Sequence, residues 1–227
     1  MPDRYSGFPA AGIKFLSELS NNNSTTWFSE NKDRYQRDVK QPFLEFVGAL
    51  NSALAAFAPV YCVALPKGIS RPNRDTRFSA DKSPYRADIS VVLPRRGLEK
   101  QQAAGFFVRI GTHGADVIGG SVVPGPEQLE RIRSYVSKHH AAVTKVFDAP
   151  ALRRIAGSLQ GEQLVRVPKS YAADHPAADL LRRKQFYFER TLPLKVVKSA
   201  SFLPEVVASL RAMTPSVETL DAALGNK

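Results

Sequence analysis

Tyr85-Arg86-Ala87-Asp88-Ile89-Ser90-Val91-Val92-Leu93 decides the fold, because apolar Tyr85, Ala87, Ile89, Val91 and Leu93 alternate with Arg86, Asp88, Ser90 and Val92. A period of two places one face of a strand on a core. Upstream the period is helical. Ile13, Phe15, Leu16 and Leu19 mark a first helix. Asn21 to Thr26 break the pattern and supply caps for a second, which carries Trp27, Phe28, Tyr35 and Val39. Pro42 suits the first turn of a third helix, whose face Phe43, Phe46, Val47, Leu50, Leu54 and Phe57 runs until Pro59.

Downstream, Phe106 to Ile110 predicts a second strand, Thr112 to Asp116 a turn, and Val117 to Val123 a third strand closing a hairpin. Pro124-Gly125-Pro126 leads into a helix with Leu129, Ile132 and Val136 on one side. Residues 148–157 and 176–183 are expected helical and 186–190 extended, and Val206, Val207, Leu210 and Met213 mark a final helix. No repeat or long linker divides the chain. The expectation is one α+β domain over residues 7–224, with a helical N-terminal third and helices on a mostly antiparallel sheet.

The 227 residues carry 32 Lys and Arg against 21 Asp and Glu, a net charge of +11. Such a surface attracts polyanions, above all phosphate-bearing ones. No Lys/Arg-rich tail coats nucleic acid, however, so nucleic-acid binding is an alternative rather than the favoured reading. Arg182-Arg183-Lys184 precedes Phe186-Tyr187-Phe188, but alternation buries Phe186 and Phe188, and stacking platforms need exposed rings. The lone Cys62 cannot form an internal disulfide. With no secretion signal at the first residues and no apolar run of membrane-spanning length, a cytoplasmic protein without membrane association is expected.

Just before the opening strand the charge is densest, with five cationic and two anionic side chains from Arg71 to Arg86. Arginine forks converging at one place repel unless an anion lies between them. Arg71, Arg74, Arg77 and Lys82, with Asp75 and Tyr85, form the candidate site for a phosphate- or carboxylate-bearing small molecule. An equally physical alternative is an ionic clasp, in which Asp75 bonds Arg74 or Arg77 and Asp81 bonds Lys82. Phe78 and Pro84 are the expected anchors, and an extended 74–79 puts Asp75 and Arg77 on one side.

Arg71, Arg74-Asp75, Arg77-Phe78, Lys82 and Pro84-Tyr85 follow the pattern R-x-x-R-D-x-R-F-x-x-x-K-x-P-Y. The chain thereby resembles the domain of unknown function 2461 family of bacterial proteins. Gly7-Phe8-Pro9, Asn22-Asn23, Trp27-Phe28, Asn31-Lys32 and Tyr35 are similar to the family's opening, and Pro168-Lys169, Tyr171, His175-Pro176 and Leu181 to its C-terminal half. The resemblance implies one intact unit and no particular reaction.

Phosphate-loop, dinucleotide and serine-elbow motifs are absent. Four histidines, two of them adjacent (His139 and His140), make a poor ligand supply, and neither a metal nor a cofactor is expected. If the protein is an enzyme, Asp75 is the candidate acid/base, with Arg77 or Lys82 stabilising negative charge. Cations beside Asp75 lower its proton affinity, which favours binding over catalysis.

Overall fold

The computed structural model describes residues 5–77, 79–97 and 104–225. Helices α1 (Ala10–Asn21), α2 (Thr25–Glu30) and α3 (Lys32–Arg34) lead into a π-helical stretch, Tyr35–Lys40, and then α4 (Gln41–Leu54). Strands β1 (Asp88–Pro94), β2 (Gly105–Gly111) and β3 (Gly114–Ser121) follow, then α5 (Pro126–Phe147), α6 (Pro150–Ala156) and α7 (Ala178–Leu181). Strand β4 (Phe186–Pro193), α8 (Leu194–Val197) and α9 (Phe202–Ala223) complete the order. The sheet runs β1-β2-β3-β4 and is antiparallel, so the fold is α+β with a helical N-terminal region. Among the described residues no helix is long and apolar enough to cross a membrane.

The chain divides into two compact units. The first comprises Met1–Val92, Phe107–Val117 and Thr191–Val207; the second comprises Leu93–Phe106, Ile118–Arg190 and Ala208–Lys227.

In the first unit, helical periodicity becomes packing directly. Phe15, Leu16, Leu19, Val39, Phe43, Phe46, Val47, Leu50 and Leu54 are fully buried, each such side chain contributing roughly 1.5–3 kcal/mol through lost apolar exposure. Ser24 caps α2 by accepting from the Trp27 N–H at 3.2 Å. The expected second helix does not run straight to Val39, because residues 35–40 widen to π geometry. Gly12 of α1 lies against that stretch: a Cβ there would sit 2.4 Å from the Asp38 carbonyl oxygen. Residues 68–74 run antiparallel beside β1. Ile69 bridges Val91, Asn73 bridges Tyr85, and Ser70 N–H donates to the Ser90 carbonyl at 2.8 Å. The strand expected from Tyr85 therefore begins at Asp88, with Tyr85 in a single bridge ahead of it.

The hairpin turn is tighter than its sequence suggests, because only Thr112 and His113 separate β2 from β3. Asp116 lies inside β3, where it accepts from Arg109 of β2 at 3.0 and 2.6 Å and from the Thr191 hydroxyl at 3.0 Å. Burial opposes its ionisation, yet those bonds hold its carboxyl below the usual range.

In the second unit, Gln128 accepts from the Gly125 N–H at 2.9 Å at the start of α5, and Phe147 meets Phe188 edge-on with centroids 5.7 Å apart. Gly119 of β3 faces Met213 of α9 so closely that a Cβ would come within 2.9 Å of it. The final helix runs past Pro215 to Ala223, and hydroxyls of Thr214 and Ser216 bond the Leu210 and Met213 carbonyls beside the proline. Phe186 and Phe188 are fully buried, as alternation requires.

Candidate functional site

The basic segment forms a loop closed by a short ladder. Arg74 N–H donates to the Pro84 carbonyl at 2.9 Å and Arg86 N–H to the Pro72 carbonyl at 2.7 Å. Residues 74–77 and 79 are not in a strand. Phe78, the expected anchor, lies outside the described residues.

Inside the loop most of the charge is already met. Arg77 grips Asp75 through both Nε and Nη2, at 3.0 and 2.7 Å, and its backbone N–H adds a third bond at 3.2 Å. Arg74 pairs with Asp81 and reaches the Ser79 hydroxyl at 3.4 Å. Asp81 also accepts from the Ser83 hydroxyl at 2.6 Å and the Ser83 N–H at 2.9 Å, the geometry of an Asx turn. Lys82 bonds the Thr76 carbonyl at 2.9 Å rather than Asp81. Hydrogen bonds from Ser83, then from Arg74, drive the Asp81 carboxyl well below the ordinary range, and the Arg77 fork lowers that of Asp75. An ionised, exposed and doubly gripped Asp75 is a weak proton acceptor.

Arg71 differs from the others. It lines a cleft of about 770 Å³ in the first unit, walled on one side by residues 28–40 and on the other by 66–73. Lys32 and Lys40 stand on the helical wall, Lys67 and Arg71 on the other. Among the described residues no carboxylate lines the cleft, and no hydrogen bond or ion pair engages these four side chains. Four cationic side chains thus line one concavity without an ion-pair partner among the described residues, a concentration of like charge that suits an entering anion.

Aromatic packing holds the walls. Phe28 stacks on Tyr85 with centroids 4.0 Å apart and planes at 15°, and Tyr35 leans on Phe28 at 5.4 Å. Asn23 clamps Tyr85 from both backbone directions, accepting from its N–H and donating to its carbonyl, each at 2.9 Å. Tyr85 is thus part of the frame rather than a free contact. Burial, then the charge of Asp88, pushes the Tyr35 hydroxyl up to about 12, so it stays a neutral hydrogen-bonding group. The π-helical stretch supplies Tyr35, Gln36 and Lys40 to the lining, in keeping with the frequent use of π geometry at functional sites.

Of the six residues expected at the site, Arg71 and Tyr85 line this cleft, while Arg74, Asp75, Arg77 and Lys82 bond within the loop. Sequence reasoning missed Lys32, Lys40 and Lys67. Lys32 and Tyr35 carried a signal in the resemblance at the N-terminus. For Lys40 and Lys67 no local signal exists, since only the tertiary approach of two segments unites them.

The histidines form no comparable site. His175 accepts the Ala177 N–H at Nδ1, 2.9 Å, which leaves the proton of its neutral ring on Nε2, aimed at the Ser137 hydroxyl 3.1 Å away. Such a ring donates to Ser137 and does not activate it. His140 meets His175 edge-on at 5.8 Å. Among the described residues no three His, Cys, Asp or Glu side chains gather as a metal site would need.

Fold and cleft together define an α+β protein with a cavity whose described lining is cationic and holds no carboxylate. Its residues 11–218 match the family model described as "Conserved hypothetical protein (DUF2461)", and the chain belongs to that family. No curated protein and no solved structure matches it.

Proposed function

We propose that this protein binds a small anionic molecule, bearing phosphate or carboxylate groups, in the cleft between residues 28–40 and 66–73. One observation carries the reading: Lys32, Lys40, Lys67 and Arg71 share the cavity without a carboxylate among its described lining residues. The volume suits a metabolite-sized ligand. Arg74, Arg77 and Lys82 serve the site indirectly, as a clasp that holds the loop next to Arg71; their pairing supports a clasp for this part of the motif. Nucleic acid fits less well, because Phe28, Tyr35 and Tyr85 are buried against one another and present no open ring face for a base. We place the protein in the bacterial cytoplasm, where the single Cys62 stays a thiol.

Thermal denaturation with nucleotides, sugar phosphates and polyphosphate tests this. A true ligand at about 100 times its Kd raises Tm by roughly 5–10 °C, and Arg71→Gln, with an unchanged Tm in the absence of ligand, abolishes the rise. No shift across the panel contradicts the reading.

A further inference from the structure

The cleft wall at residues 66–73 is a ribbon with one edge taken and one edge open. Its even-numbered residues bond the chain that runs from Pro84 into β1. The Gly68 carbonyl accepts from the Val92 N–H at 3.0 Å, and the Ser70 N–H donates to the Ser90 carbonyl at 2.8 Å. The Pro72 carbonyl accepts from the Arg86 N–H at 2.7 Å, and the Arg74 N–H donates to the Pro84 carbonyl at 2.9 Å. Successive residues of such a ribbon turn their backbone groups to opposite edges, so those of Ile69, Arg71 and Asn73 face away from β1. Ile69 uses its N–H on the Pro66 carbonyl at 3.4 Å. Among the described residues the backbone N–H and carbonyl groups of Arg71 and Asn73 bond nothing. Pro72, which has no N–H, falls on the β1 side and deprives the open edge of no donor.

Every residue from Pro66 to Asn73 contributes to the cleft lining. Side chains alternate between the two faces of an extended ribbon, so an unbroken run of lining residues means that the ribbon meets the cleft along an edge. The β1 edge is occupied. It is therefore the open edge, with Arg71 and Asn73, that borders the cavity.

We infer that the ligand of the cleft is a short acidic peptide, which enters as an extended strand and pairs with Arg71 and Asn73 along the open edge. This rests on the anion-binding reading above and names its ligand class. The edge presents donors and acceptors in turn, repeating at about 6.6–6.8 Å per two residues, and a partner must answer both. An ionised phosphate only accepts and leaves the Arg71 and Asn73 carbonyls unmet, whereas a peptide backbone supplies N–H and carbonyl groups at the same repeat. Charge selects the side chains. Lys32, Lys40, Lys67 and Arg71 line the cavity with no carboxylate among its described lining, so Asp or Glu side chains complement it. The same cations keep the equally basic edge of a second copy away. The volume of about 770 Å³ suits a peptide of about four residues.

The test is calorimetric titration of the full chain with acetyl-tetraglutamate amide, with its uncharged tetraglutamine analogue and with pyrophosphate, joined to amide hydrogen exchange followed by NMR. Tetraglutamate is expected to bind at least ~10-fold more tightly than tetraglutamine. At about 100 times its Kd it is expected to slow exchange of the Arg71 and Asn73 amides at least ~10-fold. Methylating single backbone nitrogens of the peptide leaves its charge intact, and is expected to weaken binding at least ~10-fold at alternate positions and less than about threefold between them, because a strand pairs along one edge. Tetraglutamate binding that leaves both amides unprotected, or equal losses at every methylated position, overturns the strand pairing and leaves anion binding standing. Pyrophosphate binding without tetraglutamate binding overturns the peptide and likewise leaves anion binding standing. Equal affinity for tetraglutamate and tetraglutamine overturns the acidic ligand class. Binding of none of the three overturns this inference and the anion-binding reading together.

Discussion

Phe28 and Tyr85 lie face to face, 4.0 Å between centroids and 15° between planes, and this stack joins the helical wall of the cleft to the basic segment. Removing the Tyr85 ring leaves a cavity beside Phe28. Tyr85→Ala is expected to cost about 3–5 kcal/mol, measured by urea denaturation. Tyr85→Phe keeps the stack and removes a hydroxyl that makes no hydrogen bond among the described residues, so it should stay within ~1 kcal/mol. Equal losses for both would show that the phenol, not the ring contact, matters.

Gly12 brings α1 onto the backbone of the π-helical stretch, with 2.4 Å between an added Cβ and the Asp38 carbonyl oxygen. Backbone cannot yield as a side-chain tip does. Gly12→Ala is expected to destabilise the protein by roughly 1–3 kcal/mol despite alanine's better helix propensity, and to weaken phosphate binding by displacing Lys40. A stabilised variant would contradict this packing.

Asp75 and Arg77 are both exposed, at 59% and 77% of side-chain surface. Surface pairs of this kind contribute little. Asp75→Ala and Arg77→Ala should therefore lower Tm by no more than ~3 °C and reduce anion affinity less than about threefold, against a loss of at least ~10-fold for Arg71→Gln. An Arg77→Ala variant with abolished binding would move the site back into the loop.

Acid should release the loop before it unfolds the core. The folded-state pKa values of Asp75 and Asp81 are both lowered, so their contribution is fully present above the ordinary carboxylate value of about 4. As pH falls below that value the unfolded chain takes up protons first, and stability declines until the folded-state carboxylates themselves titrate. Proteolysis at residues 74–83 is expected to accelerate below pH ~4, with Asp81→Asn removing much of that dependence. A cleavage rate independent of pH from about 3 to 7 would contradict it.

The helices could be read in advance where a single apolar face decides burial, as at Phe43, Phe46, Val47 and Leu50, because the 3.6-residue period is local. The π-helical stretch could not, since no local spacing marks it and its close contact with Gly12 exists only in the fold, and the tight hairpin escaped because Asp116 has a turn-like side chain but an arginine partner across the strands. The charged motif was visible and its division of labour was not. Spacing shows that Arg71, Arg74, Arg77 and Lys82 are close in sequence. Only folding shows that the last three find partners within their own loop while Arg71 shares a cleft lining with Lys32, Lys40 and Lys67.

The central claim is that the cleft, not the motif as a whole, holds the anion. Calorimetric titration of pyrophosphate into the native protein and into a Lys67→Gln/Arg71→Gln variant of unchanged Tm tests it most directly. A loss of at least ~10-fold in affinity in the variant is the predicted result, because one wall of the cleft has lost its charge. Equal affinity in the two proteins would contradict it.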